Sequence, residues 1–210
     1  MSEGSVPIRI LAVDDHALVR QGVAVLVATQ PDMKLVAEAS NGREAIQQFR
    51  THRPDVTLMD LQMPDMNGFD AIVAIRGEFP DAKIVVLTTY KGDVQILRAL
   101  KAGAQAYLMK STIHKELIDT IRAVHAGKKV LSPEASFEIA EHATDVPLTP
   151  AEISVLRLIA AGNANKQIAA QLSTTEETVK SRVKSILSKL GASDRTHAAM
   201  IGLKRGIIDI

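Results

Sequence analysis

Cysteine and tryptophan are absent from this 210-residue chain, and aromatic residues make up only 3% of it. Without Cys, the chain has no disulfide, no catalytic thiol and no cysteine-ligated zinc site. No apolar run approaches the roughly 20 residues that a membrane-spanning helix needs, and no stretch resembles a signal peptide. With 46% hydrophobic and 23% charged residues, the composition predicts a soluble cytoplasmic protein that is long enough for two modest domains.

The formal net charge of +1 conceals three regions of different charge. Residues 1–130 carry 16 Lys and Arg against 15 Asp and Glu. Residues 131–145 carry four acids and no bases, and residues 146–210 carry nine bases against five acids. A near-neutral body, an acidic connector and a basic tail indicate two different tasks within one chain.

Strand-like and helical patterns alternate from residue 8 onward. The strand-like runs are IRILAV, MKLVAE, VTLM, KIVVLTT and AYLM, and the helical patterns lie near residues 17–29, 43–51, 68–78, 93–102 and 115–126. Five βα units in series predict a five-stranded parallel sheet that is covered by helices on both faces.

After Gly127 the strand patterns stop. Pro133 and Pro147 bracket the acidic connector, and Thr149-Pro150 has the pattern of an N-cap followed by proline in the first turn of a helix. All-helical patterns follow near residues 150–161, 165–172, 176–190 and 195–205. The sequence therefore predicts a first domain over 8–127, a linker over 128–146 and a small all-α domain over 147–210.

Polar residues follow the predicted strands at the edge where ligands bind in an open parallel sheet. Asp14 and Asp15 follow the first strand, Asp60 ends the third, Thr88 and Thr89 end the fourth, and Lys110 follows the fifth. Each residue alone has an ordinary explanation, because strand-end Asp residues often cap helices. Together they match a chemistry in which Mg²⁺ binds to carboxylates. One of the carboxylates can then attack phosphorus to give an aspartyl-phosphate.

Four segments of residues 8–127 resemble the receiver domain of two-component response regulators, which has a flavodoxin-like (CheY-like) fold. The segments are LAVDDHALVR, LMDLQMPDMNG, VVLTTY and AGAQAYLMK. The resemblance implies that Asp60 is the phospho-acceptor and that Lys110 contacts the phosphoryl group. It further implies a Mg²⁺ site in which Asp15, Asp60 and the backbone carbonyl of Gln62 hold the ion. In that site Asp14 binds either directly or through water.

The resemblance also implies two switch residues, Thr88 and Tyr107. Thr89 is the alternative to Thr88, although strand alternation points it to the opposite face. For Tyr107 the alternative is an ordinary half-buried tyrosine in a strand.

The helical pattern at 176–190 has an apolar and a basic face. The apolar stripe consists of Val179, Val183, Ile186, Leu187 and Leu190, and the other positions include Lys180, Ser181, Arg182, Lys184 and Lys189. A short helix and the turn Ser173-Thr174-Thr175 precede it, which is typical of a helix-turn-helix whose second helix enters the major groove. On charge alone, a merely solvated amphipathic helix explains the pattern equally well.

The tail, from LTPAEISVLRL to DRTHAAM, resembles the LuxR-type DNA-binding domain. The resemblance implies that Lys180, Ser181 and Lys184 face base edges and phosphates. It implies backbone contacts from Lys166, Lys189 and Arg195, and a dimer contact on the last helix from Ala198, Ile201 and Gly202. Two positions depart from the family pattern: Ala164 replaces a frequent Ser, and Arg182 stands where His is common. Sequence preference therefore does not transfer from relatives.

Together the two resemblances give the layout of NarL/FixJ-type response regulators. This layout implies phosphoryl transfer from a sensor histidine kinase to Asp60, and a homodimer that binds double-stranded DNA without contacting a membrane. The chain would then be no enzyme beyond its own phosphotransfer and autodephosphorylation. Two alternatives remain: a constitutive DNA-binding regulator whose receiver serves dimerisation, and a Mg²⁺-dependent phosphatase. The histidines show no metal-ligand spacing with nearby acids and are expected to be surface residues.

Overall fold

The computed structural model describes residues 6–89 and 92–208. Their packing divides into two units, the first over residues 6–89 and 96–136 and the second over residues 92–95 and 137–208. Within these described ranges, no helix is both long and apolar enough to cross a membrane.

A parallel sheet is the centre of the first unit, and its described strands follow the order β2-β1-β3-β4-β5-β6. The strands are β1 (Ile8–Val13), β2 (Met33–Ala39), β3 (Val56–Asp60), β4 (Ile84–Thr88), β5 (Ala106–Met109) and β6 (Val130–Leu131). The parallel fold is confirmed, but the described residues form six strands where the sequence predicted five. The sixth was missed because two residues are too short to show a periodic pattern; it pairs with β5 at Ala106 and Tyr107.

Five helices alternate with these strands along the described chain. They are α1 (Ala17–Ala28), α2 (Gly42–His52), α3 (Gly68–Glu78), α4 (Asp93–Ala102) and α5 (Ile113–His125). One face packs against α1 and α5 through a core that includes Ile10, Leu58, Leu108, Val27 and Ile121. Because side chains alternate along a strand, the intervening residues point to the opposite face, where α2 and α3 contact each other and the sheet. The five helices lie within two residues of their predicted bounds.

The strand register brings the polar strand ends to one edge. Val13 of β1 is the neighbour of Met59 in β3, Asp60 is the neighbour of Leu87 in β4, and Thr88 is the neighbour of Met109 in β5. The residues that follow these strands therefore emerge side by side, as the parallel arrangement predicts.

The remaining secondary-structure elements of the described chain are helices. They are α6 (Pro133–Glu141), α7 (Pro150–Ala160), α8 (Asn165–Gln171), α9 (Glu176–Leu190) and α10 (Arg195–Lys204). The stretch predicted as a linker thus contains β6 and α6. The last four helices surround a separate core that includes Val155, Leu156, Ile168, Val179 and Ile186.

Local signals explain where the helices of the second unit begin and end. Thr149 and Glu152 form a complete capping box at the start of α7: the Glu152 amide donates to the Thr149 hydroxyl, and Glu152 Oε2 accepts from the Thr149 amide at 2.7 Å. Thr175 caps α9 through the Thr178 amide. Gly191 ends α9 in a left-handed conformation with φ 60°, which costs glycine little because it has no Cβ.

Candidate functional site

Three carboxylates and one ammonium meet at the polar edge of the sheet. Asp14 follows β1 and is 2% exposed, and Asp60 ends β3 and is 3% exposed. Lys110 follows β5, where its backbone amide donates to the Thr88 carbonyl at 2.7 Å. Asp15 joins them from the loop between β1 and α1. The structure therefore brings together the residues that the sequence predicted at this edge.

The Lys110 ammonium is shared between two buried carboxylates. Its Nζ donates to Asp60 Oδ2 at 2.8 Å and lies 2.6 Å from Asp14 Oδ2. Burial of an ammonium lowers its pKa, but the contacts with Asp14 and Asp60 outweigh burial and raise the pKa of Lys110. The lysine is consequently held in its charged form.

For Asp60, the effect of burial on the pKa is larger than the effect of the neighbouring Lys110. Burial is the largest influence and raises the pKa of Asp60 above its usual range, and the nearby charge of Asp14 adds to this rise. The hydrogen bond from Lys110 acts in the other direction but does not prevail. The single positive charge of Lys110 therefore does not compensate the carboxylates of the pocket, and burying uncompensated charge is unfavourable.

His16 lies in the same cluster. Its Nδ1 is 2.7 Å from Asp15 Oδ1 and 3.3 Å from Asp14 Oδ1, and the ring is mostly exposed. The sequence predicted that the histidines show no metal-ligand spacing with nearby acids, and this was wrong for His16. Its position directly after the Asp pair in the chain was the missed signal. A second such group, Glu138, Glu141 and His142, lies around α6.

The pocket fits a Mg²⁺ ion. One ligand atom from each of Asp14, Asp15, His16 and Asp60 can be chosen so that all lie within 4.8 Å of one another. Carboxylate oxygens are the hard ligands that Mg²⁺ prefers, and the surplus of negative charge favours a divalent cation. Gln62 lies in the same loop as Asp60, and its amide faces Asp60 Oδ1 at 3.4 Å.

The loop after Asp60 is held tightly against the strand end. Gly68 begins α3, and its amide donates to the Leu61 carbonyl at 3.0 Å. A Cβ at Gly68 would collide with the Asp60 carbonyl oxygen, so only glycine permits this close approach. Asn67 caps α3 through the Asp70 amide at 2.9 Å. Together these contacts fix the backbone of Asp60.

Thr88 and Tyr107 lie together on the face opposite the α1–α5 core. Both residues are 1% exposed, and the Tyr107 hydroxyl forms a hydrogen bond with Thr88. Burial raises the pKa of Tyr107 to about 12, against the smaller opposing effect of Thr88. Thr89 is exposed. Tyr107 is thus fully buried rather than half-buried, and it contacts the hydroxyl that strand alternation favoured.

In the second unit, α8, a short turn and α9 form the expected helix-turn-helix. Ser173 takes a left-handed conformation in the turn, with φ 50°. The exposed residues of α9 include Lys180, Ser181 and Lys184, as predicted for a DNA-facing surface, and Lys166 is exposed on α8. Residues 144–146 of the connector line a groove together with Ser181, Lys184 and Ser188.

Lys189 and Arg195 make contacts inside the second unit. Lys189 Nζ donates to Glu152 Oε2 at 2.8 Å and to the Pro147 carbonyl at 3.3 Å. Arg195 Nη2 donates to the Asn163 carbonyl at 2.5 Å. Both basic groups were predicted to contact the DNA backbone, and the structure gives each of them a partner within the protein.

Glu152 is the centre of this internal network. It is 6% exposed and accepts hydrogen bonds from Lys189, from the Ser185 hydroxyl at 2.6 Å and from the Thr149 amide. Partial desolvation acts to raise its pKa, but these donors prevail and lower the pKa of Glu152 to about 2. The network joins the start of α7 to α9.

The predicted dimer residues on α10 do not share one surface. Ala198 and Gly202 are buried, and a Cβ at Gly202 would lie 2.8 Å from Leu156 and 3.2 Å from Ile208 of the same unit. The prediction that Ala198 and Gly202 contact a second copy was therefore wrong, because their small size serves close packing within the domain. Ile201 is partly exposed.

The start of α8 shows the consequence of Ala164. Alanine has no side-chain acceptor, so only half of a capping box remains: the Ala164 amide donates to Gln167 Oε1 at 2.7 Å. Arg182, the second departure from the family pattern, is partly exposed.

Two family models match the chain. Residues 10–122 match the response regulator receiver domain, and residues 146–201 match the bacterial regulatory proteins of the luxR family.

Similar proteins span nearly the whole chain. It is 41% identical over 205 residues to YhcZ of Bacillus subtilis, an uncharacterized transcriptional regulatory protein, with 93% of this chain and 95% of that protein covered. It is 37% identical over 206 residues to the response regulator protein VraR of Staphylococcus aureus, with 96% and 99% covered.

Solved structures show the same similarity. RcsB of Salmonella enterica serovar Typhimurium, bound to the promoter P1flhDC in the presence of the phosphomimetic BeF3⁻, matches with a TM-score of 0.73 and 26% identity. The match covers 92% of this chain and 97% of that one.

Proposed function

Because the chain belongs to the response regulators that carry a LuxR-type DNA-binding domain, we propose that Asp60 accepts a phosphoryl group from a sensor histidine kinase. The added charge then controls how the second unit binds to promoter DNA. The observation that supports this most is the position of Lys110, whose ammonium contacts Asp60 and Asp14 at the buried strand ends.

In the proposed transfer, an Asp60 carboxylate oxygen attacks the phosphorus of a phosphohistidine. The new O–P bond forms as the P–N bond breaks, and the histidine of the kinase is released. Lys110 offsets the charge of the phosphoryl oxygens. When bound by Asp14, Asp15, Asp60 and the Gln62 carbonyl, Mg²⁺ supplies further positive charge at this place. Hydrolysis of the acyl phosphate would return the protein to its starting state.

Thr88 and Tyr107 connect this pocket to the rest of the first unit. A phosphoryl group adds about −1.5 to −2 charges and strong hydrogen-bond acceptors. The Thr88 hydroxyl at the end of β4 is placed to donate to one of them, which would break its present hydrogen bond with Tyr107. Rearrangement of these two buried side chains would make the surface of the first unit depend on whether Asp60 is phosphorylated.

The second unit would bind DNA through α9. Lys180, Ser181 and Lys184 on its exposed side would enter the major groove, and Lys166 would contact the phosphate backbone. Two copies would occupy paired half-sites, and RcsB bound to its promoter shows that a related chain binds DNA.

A small phosphoryl donor tests the first part of this proposal. Wild-type protein incubated with acetyl phosphate and Mg²⁺ should acquire one acid-stable, alkali-labile phosphate. Asp60→Asn should acquire none, because an amide is no nucleophile toward phosphorus. Asp81→Asn is the matched control, since Asp81 is exposed in the loop before β4, and it should be labelled like wild type. Undiminished labelling of Asp60→Asn removes this residue from the mechanism.

Two lysine variants test the second part. Lys166→Ala should weaken binding to all sequences and flatten the dependence of log K on log salt by about one unit, the effect of one lost phosphate contact. Lys189→Ala should leave that slope unchanged, because Glu152 already holds the Lys189 ammonium. Salt titrations of both variants separate the roles. A flatter slope for Lys189→Ala alone would show that the contact with the DNA backbone comes from Lys189, as predicted from the sequence.

A further inference from the structure

The exposed side of α9 begins with an acid. Val179 and Ile186 are buried in the core of the second unit. The exposed residues of α9 are Glu176, Glu177, Lys180, Ser181, Lys184 and Ser188. Their spacings of three and four residues place them on one face of the helix. Glu177 therefore belongs to the same surface as the lysines assigned to DNA.

Glu176 and Glu177 have different surroundings. Glu176 Oε1 lies 3.8 Å from Lys180 Nζ, an i,i+4 pair along the helix. Over residues 6–89 and 92–208, Glu177 forms no ion pair and its carboxylate accepts no hydrogen bond. An acid in the first turn does stabilise a helix N-terminus, but Glu176 already provides that charge. Nothing within the protein thus accounts for a second acid on the basic face.

A carboxylate on this face is unfavourable for general DNA binding, because the phosphates repel it. Its cost is offset where the carboxylate accepts a hydrogen bond in the major groove, and the cytosine N4 amino group is the usual donor to Glu and Asp. The first residues of a recognition helix are those that reach base edges. Glu177, the second residue of α9, is at the required end.

We propose that Glu177 reads a cytosine in each half-site by accepting a hydrogen bond from its N4 amino group. This assignment rests on the proposed binding of α9 in the major groove, and it adds a specificity-determining residue. Glu177 would reject thymine, which offers a carbonyl oxygen in place of the amino group. It would also oppose binding to unrelated sequences through its charge.

Selection from a randomised duplex library with the full-length protein tests the assignment. Wild type should select C·G at one defined position. Glu177→Gln should lose this preference by on the order of tenfold, or shift it toward adenine, which Gln contacts through N6 and N7. Glu177→Ala should lose the preference and bind unrelated duplexes more tightly. Glu176→Gln is the matched control, and it should select the same sequence as wild type.

Two results would overturn the assignment. If Glu177→Gln and Glu177→Ala both select the wild-type base at every position, Glu177 acts only through its charge. If Glu176→Gln changes the same base preference as Glu177→Gln, the effect belongs to the helix end rather than to one side chain. Circular dichroism should show equal helix content in all variants. Failure of the wild type to bind any duplex would instead contradict the proposed function.

Discussion

Each unit contains a lysine that donates to a carboxylate at 2.8 Å, but the two sites differ in charge balance. In the first unit, Asp14 and Asp60 share the single ammonium of Lys110, and Asp15 lies beside them. In the second unit, Glu152 accepts hydrogen bonds from Lys189, from the Ser185 hydroxyl and from the Thr149 amide. Burial raises the pKa of Asp60, whereas the surrounding donors lower the pKa of Glu152 to about 2.

The difference separates the proposed phosphorylation site from a structural ion pair. Glu152 has enough donors to stay ionised, so the network stabilises the second unit and needs no further ligand. The pocket of Asp60 has more negative charge than Lys110 can offset, so it is suited to a cation and a phosphoryl group. An ion pair by itself therefore says little about function, and the number of donors for each carboxylate is the informative quantity.

Removal of Lys110 should have the largest effect. Lys110→Ala should lower the rate of phosphorylation by acetyl phosphate by on the order of 100-fold, because the phosphoryl oxygens lose their counter-charge. Mg²⁺ should bind with unchanged or higher affinity, since a nearby positive charge is lost. Labelling rates and calorimetric Mg²⁺ titrations measure the two effects. Lys101→Ala, at an exposed position of α4, is the control. If Lys110→Ala is phosphorylated at the normal rate, Lys110 has no role in phosphoryl transfer, and its site does not differ in function from that of Lys189.

Neutralising Glu152 should have a smaller effect, on stability. Glu152→Gln should reduce the free energy of unfolding of the second unit at neutral pH by about 1–2 kcal/mol, a range that allows for partial solvent screening. Hydrogen–deuterium exchange of the α9 amides reports this unit separately. Glu177→Gln, an exposed position on the same helix, should change the unfolding free energy by no more than about 0.5 kcal/mol.

The pH dependence of that difference follows from the sign of the pKa shift. Glu152 has a lowered pKa in the folded state, so its contribution is present above the unfolded value of 4.5 and is lost as pH falls toward about 2. Wild type and Glu152→Gln should therefore differ at neutral pH and converge in acid. A difference that stays constant down to pH 2 would mean that the charge of Glu152 is unimportant.

The smallest expected effect concerns the donors and acceptors at the helix N-termini, because α7 has a complete capping box and α8 has half of one. Ala164→Ser should stabilise α8 by about 0.5–1 kcal/mol, since Ala164 already has the extended backbone of an N-cap, with φ −75° and ψ 159°. Exchange of the α8 amides measures the change. The same substitution at Ala170, exposed within α8, should destabilise slightly. Equal effects at both positions would contradict the capping explanation.

The acid pocket was predictable because it follows from local rules. Short apolar runs end at Asp60 and before Asp14 and Lys110, and parallel strands deliver their ends to one edge. The spacing of Val179 and Ile186 likewise predicted the buried side of α9. In each case the relevant pattern is contained in one segment of the chain.

The remaining features depend on contacts between distant segments. Glu152 and Lys189 are 37 residues apart, and no periodicity in the sequence pairs the start of α7 with the end of α9. From the sequence, Lys189 therefore resembled the other basic residues that were predicted to contact DNA. Gly202 looked like a dimer position because small residues suit any close contact, and only the fold shows that Leu156 and Ile208 fill the space.

Asp60, in a pocket with more negative charge than Lys110 offsets, is the proposed phospho-acceptor. Reduction of the phosphorylated wild-type protein with borohydride converts an aspartyl-phosphate to homoserine, and peptide mass mapping then locates the modified residue. Homoserine is expected at position 60 alone, dependent on Mg²⁺ and absent from Asp60→Asn. Modification at another carboxylate, such as Asp14 or Glu152, or labelling without any reducible acyl phosphate, would contradict this proposal.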